Sequence, residues 1–317
     1  MKNDLFEDIK SDRSFTGNLG RILLFLVFLL VLDYTVSFFL EKGITRYYGL
    51  ENDADIVLVG HSHLMLALDK ETIERKLGVR VAKYTRPGVN VHDRYIMFQH
   101  YFSGHNKSPG IVVYSIDPWL FTSEGLSANS YKLFYPFMDN PWVDRYVHAE
   151  AKDLFDYFGH KFFRSSRFDV LLVNAAFRGY LGNWSNLKFG ELDRAALKRE
   201  IDSGEYRKIT IEQENIRWFE KTLDFLAEKK VTVILLNTPI YHLLTDIQPE
   251  KYAAAMGAIR MTAARYPNVR IVDISQGLSS QPRYFFDAVH MNPEGQRTVT
   301  GIFARTLDSL VDHHQAD

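Results

Sequence analysis

The chain has 317 residues, and its 38 Lys and Arg nearly balance 39 Asp and Glu, so no strong field steers it toward nucleic acid. It contains no cysteine, which excludes disulfides, thiolate metal sites and cysteine nucleophiles and leaves the redox compartment open. Aromatic residues reach 14% and crowd between Trp119 and Phe189, a density that most often builds core.

An almost unbroken apolar run, residues 22–40, lies between Arg21 and Glu41. At ~1.5 Å per residue it nearly spans a hydrocarbon core of ~30 Å. The run is apolar on every face, unlike a core helix, and no small-x-small cleavage site follows it, so an uncleaved signal anchor is expected. Lys2, Lys10, Arg13 and Arg21 precede it, against Lys42 and Arg46 after it. That bias puts residues 1–21 in the cytoplasm and the main domain, 41–317, outside the inner membrane, in the periplasm or its equivalent. Asp33 interrupts the run. A carboxylate at mid-helix costs about 2.5–3.5 kcal/mol, so Asp33 is either a tolerated near-interface residue or a contact with another membrane protein.

From residue 53 onward the pattern is strand, loop, helix, repeated. A continuous apolar run of strand length occupies residues 55–60, and residues 79–84, 111–116, 231–237 and 269–274 are further strand candidates. Helical patterns fill 71–77, 91–102, 212–229, 249–266 and 293–311, the last with Asn292 as cap and Pro293 at its first position. β-branched strands alternating with amphipathic helices give an α/β fold with five parallel strands covered on both faces. Ligands in such sheets bind beyond the carboxyl ends of the strands, where Ser62, Gly88 and Asp117 all fall. The rhythm breaks over residues 121–206, an aromatic and basic stretch expected to be a helical insertion packed over that edge. The terminal His313-His314 pair reads as a solvated tail rather than a metal site.

The chemistry is carried by Gly60-His61-Ser62-His63 and, near the C-terminus, Asp287-Ala-Val-His290. A serine hydroxyl is almost wholly protonated at neutral pH, so it needs a base within hydrogen-bond reach and an orienter for that base. Asp-x-x-His supplies both, which points to a serine esterase or acyl transferase. His61 and His63 share a strand face, but no further ligand trio is visible, so neither metal nor cofactor is expected.

The Gly-x-Ser-x-Gly elbow of the α/β-hydrolases is absent, since Leu64 stands two after Ser62. Serine after the first strand, with Asp-Ala-Val-His-Met-Asn-Pro-Glu-Gly before the last helix, resembles the SGNH (GDSL-like) hydrolase superfamily. Within it, the chain looks similar to membrane-anchored bacterial members related to the DltD and alginate O-acetylation proteins. The resemblance covers roughly residues 53–311 with the insertion excused, and implies a flavodoxin-like three-layer α/β/α domain. It also implies Ser62 as nucleophile, His290 as general base, Asp287 as its orienter, and the backbone N–H groups of Ser62 and Gly88 as oxyanion donors. His63 and Arg86 are then candidates for substrate contact. One departure matters: where the family commonly has a donating asparagine, this chain has Asp117. An ionised aspartate cannot donate. Asp117 therefore stays protonated, serves another polar role, or leaves a hole of two donors, with slow turnover of simple esters. The resemblance further implies transfer or removal of an acyl group, acetyl by family habit, on a cell-envelope polysaccharide, with a multi-spanning acyltransferase as donor partner. The alternative is a catalytically impaired scaffold that binds glycan or organises a membrane complex.

Overall fold

The computed structural model describes residues 3–124 and 129–312; Lys2, His313 and His314 lie outside them. A first helix, α1 (Asn3–Tyr48), leads into β1 (Ile56–Gly60), α2 (Ser62–Ala67), α3 (Lys70–Leu77), β2 (Val81–Thr85), α4 (Val91–Gly104) and β3 (Ile111–Ile116). The insertion follows, with a 3₁₀ segment (Ser130–Phe137), α5 (Pro141–Glu150), α6 (Leu154–Phe162), a 3₁₀ turn (Arg164–Arg167), α7 (Val170–Tyr180) and α8 (Arg194–Ser203). The chain closes with α9 (Gln213–Glu228), β4 (Thr232–Asn237), α10 (Leu243–Asp246), α11 (Pro249–Ala263), β5 (Val269–Asp273), a 3₁₀ turn (Pro282–Tyr284) and α12 (Pro293–Asp312).

All five strands are parallel, in the order β2-β1-β3-β4-β5. The expected α/β architecture is therefore present, and each expected strand is found within two residues of its expected start and end. Strand side chains alternate between two cores. Val57, Val59, Val112, Tyr114, Val233 and Leu235 face one, while Leu58, Val113, Ile234 and Leu236 face the other. That period of two, with both faces apolar, is why the runs read as continuous rather than alternating. β5 is the open edge and carries the exposed charge of Arg270.

Two features of the flanks go beyond the sequence reading. First, the helix that carries the apolar run of residues 22–40 continues to Tyr48, and Ile44, Tyr47 and Tyr48 are buried in the first core. Beyond Glu41 the helix turns an apolar face toward α7, where Gly43 meets Gly179 and Ala176 backbone to backbone. A Cβ on Gly179 would lie 1.9 Å from the Gly43 carbonyl oxygen, and one on Gly43 would lie 2.5 Å from that of Ala176. Small residues let the two backbones touch. Second, the insertion does not lie wholly over the strand ends. Its first half packs on α1 and α4, with the Tyr146 hydroxyl donating to buried Asp93. That half touches the carboxyl edge through Phe134 and Phe137, which lie over Arg86, and the second half reaches it where Leu197 joins the second core and Lys188 comes within 3.8 Å of Asp287.

Among the described residues one helical stretch, Asn18–Tyr48 of α1, is long and apolar enough to cross a membrane, and its side chains from Leu19 to Phe39 are almost all exposed. Asp33 within it accepts from the backbone N–H of Arg164 (2.8 Å) and Ser165 (2.9 Å) and from the Ser165 hydroxyl (2.5 Å). Its carboxylate thus has its partners inside the chain.

The α1–α7 contact yields a prediction. Gly179→Ala forces the helices apart and lowers stability by about 1–3 kcal/mol, as overpacking does elsewhere. Urea unfolding of the detergent-solubilised protein measures this, and an unchanged midpoint would count against the close crossing.

Candidate active site

The pairing of Gly60 with Thr85 sets the ends of β1 and β2 side by side. Past β1 the chain turns at once into α2, with Ser62 at its first position and half-buried. The Ser62 N–H is therefore one of the donors a helix start leaves without an intrahelical acceptor. Past β2 the chain makes an Arg86-Pro87-Gly88 turn in which Gly88 has φ 76°. Proline followed by a left-handed glycine is the type II signature, and only glycine holds that φ without strain.

His290 reaches this edge from the loop between β5 and α12. Its Nε2 lies 2.8 Å from Ser62 Oγ and its Nδ1 lies 2.7 Å from Asp287 Oδ2. The consistent assignment has Nδ1–H donating to the carboxylate and the serine hydroxyl donating to Nε2. The other Asp287 oxygen accepts the N–H groups of Val289 (3.0 Å) and His290 (2.9 Å), which fixes the loop. Burial would raise the Asp287 pKa, but the hydrogen bond and charge of His290 and these backbone donors outweigh it and hold the carboxyl below its ordinary value. Asn292 then caps α12, accepting from Glu294 and Gly295 N–H, and Gln296 donates to the Leu66 carbonyl of α2 at 3.0 Å. Lys188, from the second half of the insertion, approaches Asp287 to 3.8 Å.

The structure thus brings Ser62, His290 and Asp287 into one hydrogen-bonded chain. The other expected site residues fare differently. Asp117 is buried and is no donor: it accepts from His61 Nε2 (2.6 Å) and from the Trp119 N–H (2.8 Å). Burial raises its pKa, yet its close pairing with His61 outweighs this and presses it far below the usual range. Of the three fates open to Asp117, the polar role elsewhere is the one observed. Its partner His61 accepts the His63 N–H at Nδ1 (3.1 Å) and so caps α2, the helix that carries Ser62. His63 is buried against His61 and His290, with ring centroids 4.1 and 5.5 Å away. Burial, then the neighbouring His61, push its pKa well down, so it packs as a neutral ring. Arg86 has no exposed surface. Its Nε donates to the Tyr48 hydroxyl at 3.0 Å, and its guanidinium lies over the Tyr48, Phe134 and Phe137 rings. As placed, Arg86 pins the turn to α1 through its Nε.

His61, His63 and Asp117 are close enough to suggest a metal, their ligand atoms lying within 4.8 Å of one another. The hydrogen bonding does not fit one. A ligating histidine ordinarily donates its second ring N–H to an acceptor. His61 instead accepts a backbone N–H at Nδ1, which leaves its proton on Nε2 and aimed at Asp117.

One functional residue escaped the sequence reading. Lys83, on β2, is buried and donates to the carbonyls of Met65 (2.7 Å) and Leu68 (2.6 Å), closing the C-terminal end of α2. A lysine inside an apolar strand run was the available signal. Burial pulls its pKa from 10.5 to about 7. A cavity of about 270 Å³ lies beside the turn, with Met65, Arg86, Pro87, Leu171 and Arg178 in its lining.

No protein-family model matches the chain, and no curated protein matches it. Among solved structures it is similar to a proposed acylhydrolase of Bacteroides fragilis NCTC 9343 (11% identity, 82% of this chain and 89% of that one, TM-score 0.42). It is also similar to a carbohydrate esterase family 2 enzyme of Corynascus thermopiles (12%, 81% and 66%, 0.41). An alpha/beta hydrolase from the Lake Arreo metagenome is a third (14%, 80% and 94%, 0.38). At these scores the likenesses carry no argument.

Two predictions follow from the supports of α2. Asp117→Asn replaces an acceptor of two donors with a group that must turn its NH₂ toward one of them. It lowers stability by about 1–3 kcal/mol and does not raise esterase activity; denaturant unfolding and ester turnover check this, and faster turnover would restore the oxyanion role. For Lys83, the folded pKa of about 7 lies below the unfolded 10.5, so between these values the unfolded chain binds more protons and stability rises with pH. The stability difference between wild type and Lys83→Met should therefore shift in favour of wild type from pH 7 to 10, and a flat difference argues against the shifted lysine.

Proposed function

We propose that this chain is a membrane-anchored serine enzyme of acyl transfer, working through an acyl-Ser62 intermediate. The single observation that carries the reading is the Ser62–His290–Asp287 chain, in which a hydroxyl, an imidazole and a carboxylate stand at 2.8 and 2.7 Å. His290 Nε2 takes the hydroxyl proton as Ser62 Oγ bonds to the acyl carbon, and returns it to the departing group. Asp287 holds the imidazole in the tautomer that keeps Nε2 free to accept. The N–H groups of Ser62 and Gly88 receive the oxyanion, without a third donor from Asp117. A second hydroxyl, from water or from a sugar, gives its proton to His290 and bonds to the acyl carbon; the acyl–Ser62 bond breaks and His290 returns the proton to Ser62 Oγ.

The finer reading is acetyl transfer to, or removal from, a cell-envelope polysaccharide on the outer side of the inner membrane, with a multi-spanning acyltransferase as donor. What supports it is the sequence resemblance, the apolar helix at the N-terminus with basic residues before it, and an enzyme face tied through Arg86 and Tyr48 to that helix. The scaffold alternative loses one of its two motives, because Asp33 is bonded to Arg164 and Ser165 of the same chain; the other, the missing donor at Asp117, stands.

Fluorophosphonate labelling of the intact protein tests the reading. Ser62 should label, Ser62→Ala should not, and Asp287→Asn should lower turnover by up to about 10⁴-fold by favouring the wrong tautomer. No labelling of wild type, or equal labelling of Ser62→Ala, favours the scaffold. Recovery of the acyl group on a glycan in place of water separates transferase from esterase.

A further inference from the structure

We infer that the hairpin formed by α6, the Arg164–Arg167 turn and α7 enters the lipid bilayer beside the anchor, so that the protein holds the membrane by a re-entrant element as well as by α1. The inference rests on the reading of α1 as a membrane anchor. It begins with Asp33. That residue lies seven positions before Leu40, about 10 Å inside the apolar run at ~1.5 Å per residue. Its carboxylate holds the N–H groups of Arg164 and Ser165, so the tip of the hairpin sits at that depth. Amphipathic helices seat about 5–10 Å into a bilayer boundary, which matches.

The surface of the hairpin agrees. Leu154, Phe155, Phe158 and Phe162 form one stripe on α6, opposite buried Tyr157, and Phe155 is 92% exposed. On α7, Val170, Leu171, Phe177 and Leu181, with exposed Asn174 among them, form the stripe opposite the Ala176–Gly179 face that packs on α1, and Val170 is 84% exposed. Both stripes continue the exposed apolar surface of α1. Aromatic and aliphatic side chains at this density on a water-facing surface would be a liability, whereas in the boundary of a bilayer they are stabilising.

The polar groups are arranged as a bilayer requires. Non-helical backbone is tolerated at membrane depth only where its N–H and C=O groups are satisfied by protein. Asp33 takes the two N–H groups at the turn. Arg167, with a fully buried side chain, gives its Nε to the His160 carbonyl (2.8 Å) and its Nη2 to that of Lys161 (3.3 Å), closing the end of α6. Arg164 pairs with Asp139 at 2.8 Å and lies over the Tyr34 ring, and Asp169 accepts the Leu172 N–H to cap α7. A carboxylate inside the anchor, costly by itself, is offset by the hairpin it secures.

The absence of cysteine makes the test direct. Single cysteines at Phe155, Phe163 and Leu171 carry spin labels in the full chain, reconstituted in vesicles of phosphatidylethanolamine and phosphatidylglycerol. Leu29 serves as the anchor control and Glu250 as the aqueous one. The expected result is that all three hairpin labels are relaxed by oxygen and lose nickel-chelate relaxation to the level of Leu29. Nickel access like that of Glu250, with Leu29 still in lipid, overturns the hairpin alone. Shielding from both reagents also overturns it, assigning the surface to a protein partner. Water exposure at Leu29 overturns the anchor and the hairpin together. Asp33→Leu should raise nickel access at Phe163, while Asp33→Asn, which keeps an acceptor, should restore lipid exposure.

Discussion

A six-residue helix cannot hold itself, because its nucleation cost exceeds the return from one or two internal hydrogen bonds. α2 is that helix, and the arrangement at the carboxyl edge of the sheet depends on what fixes it from outside. His61 caps its start and is itself anchored by Asp117 at the end of β3. Lys83 on β2 closes its last carbonyls, and Gln296 of α12 takes that of Leu66. Three distant segments therefore converge on one turn and a half of helix. Each uses a buried polar side chain that would be destabilising without its partner. The same α12 begins at Asn292, two residues after His290, so both sides of the Ser62–His290 contact are referenced to one pair of helices. That common frame allows a hydrogen bond to form across 228 residues of chain.

The second organising element is the continuity of α1. An anchor that ended at Leu40 and ran into a linker would leave the globular part free to move over the membrane. Instead the helix enters the core, where Tyr48 stacks toward Tyr84 and receives the Arg86 Nε–H beside the Gly88 turn. The orientation of the anchor and that of the turn are mechanically one. α7 is clamped to the same helix through Gly43 and Gly179, so the insertion adds to this rigidity.

The sheet was readable in the sequence because strands buried on both faces are dominated by apolar residues; β2 keeps them around Lys83, and the edge strand β5 keeps Val269, Ile271 and Val272 around Arg270. The serine, histidine and aspartate were readable because short motifs at opposite ends of an α/β pattern have few other reasons to occur. Buried charge was not. Arg86 and His63 lie buried, where a charged or titratable side chain near a strand end is ordinarily exposed. Nothing local tells that Tyr48 or His61 covers them. Asp33 was visible as an anomaly, but its partners lie 131 and 132 residues away, and pairing at that separation leaves no periodicity. α2 is too short and too uniformly apolar for a helical period to register.

The place of Asp117 bears on how such a site would work. A carboxylate that is fully ionised and turned toward His61 removes one donor from the oxyanion site, and one donor is commonly worth about 10²–10³ in rate. On the proposed reading, two backbone N–H groups carry the developing charge, and the remainder must come from positioning. The fold offers that in its supports: α2 is held at both ends, the His290 loop is locked by three bonds to Asp287, and the Gly88 turn is braced against the anchor. On the same reading, confinement to a membrane surface would add effective concentration for an acyl donor held there. An enzyme so built would gain little from fast turnover of freely diffusing esters and more from a long-lived acyl-serine awaiting a particular hydroxyl. Asp117, which secures the cap of the helix that carries Ser62, then serves precision of placement over peak rate.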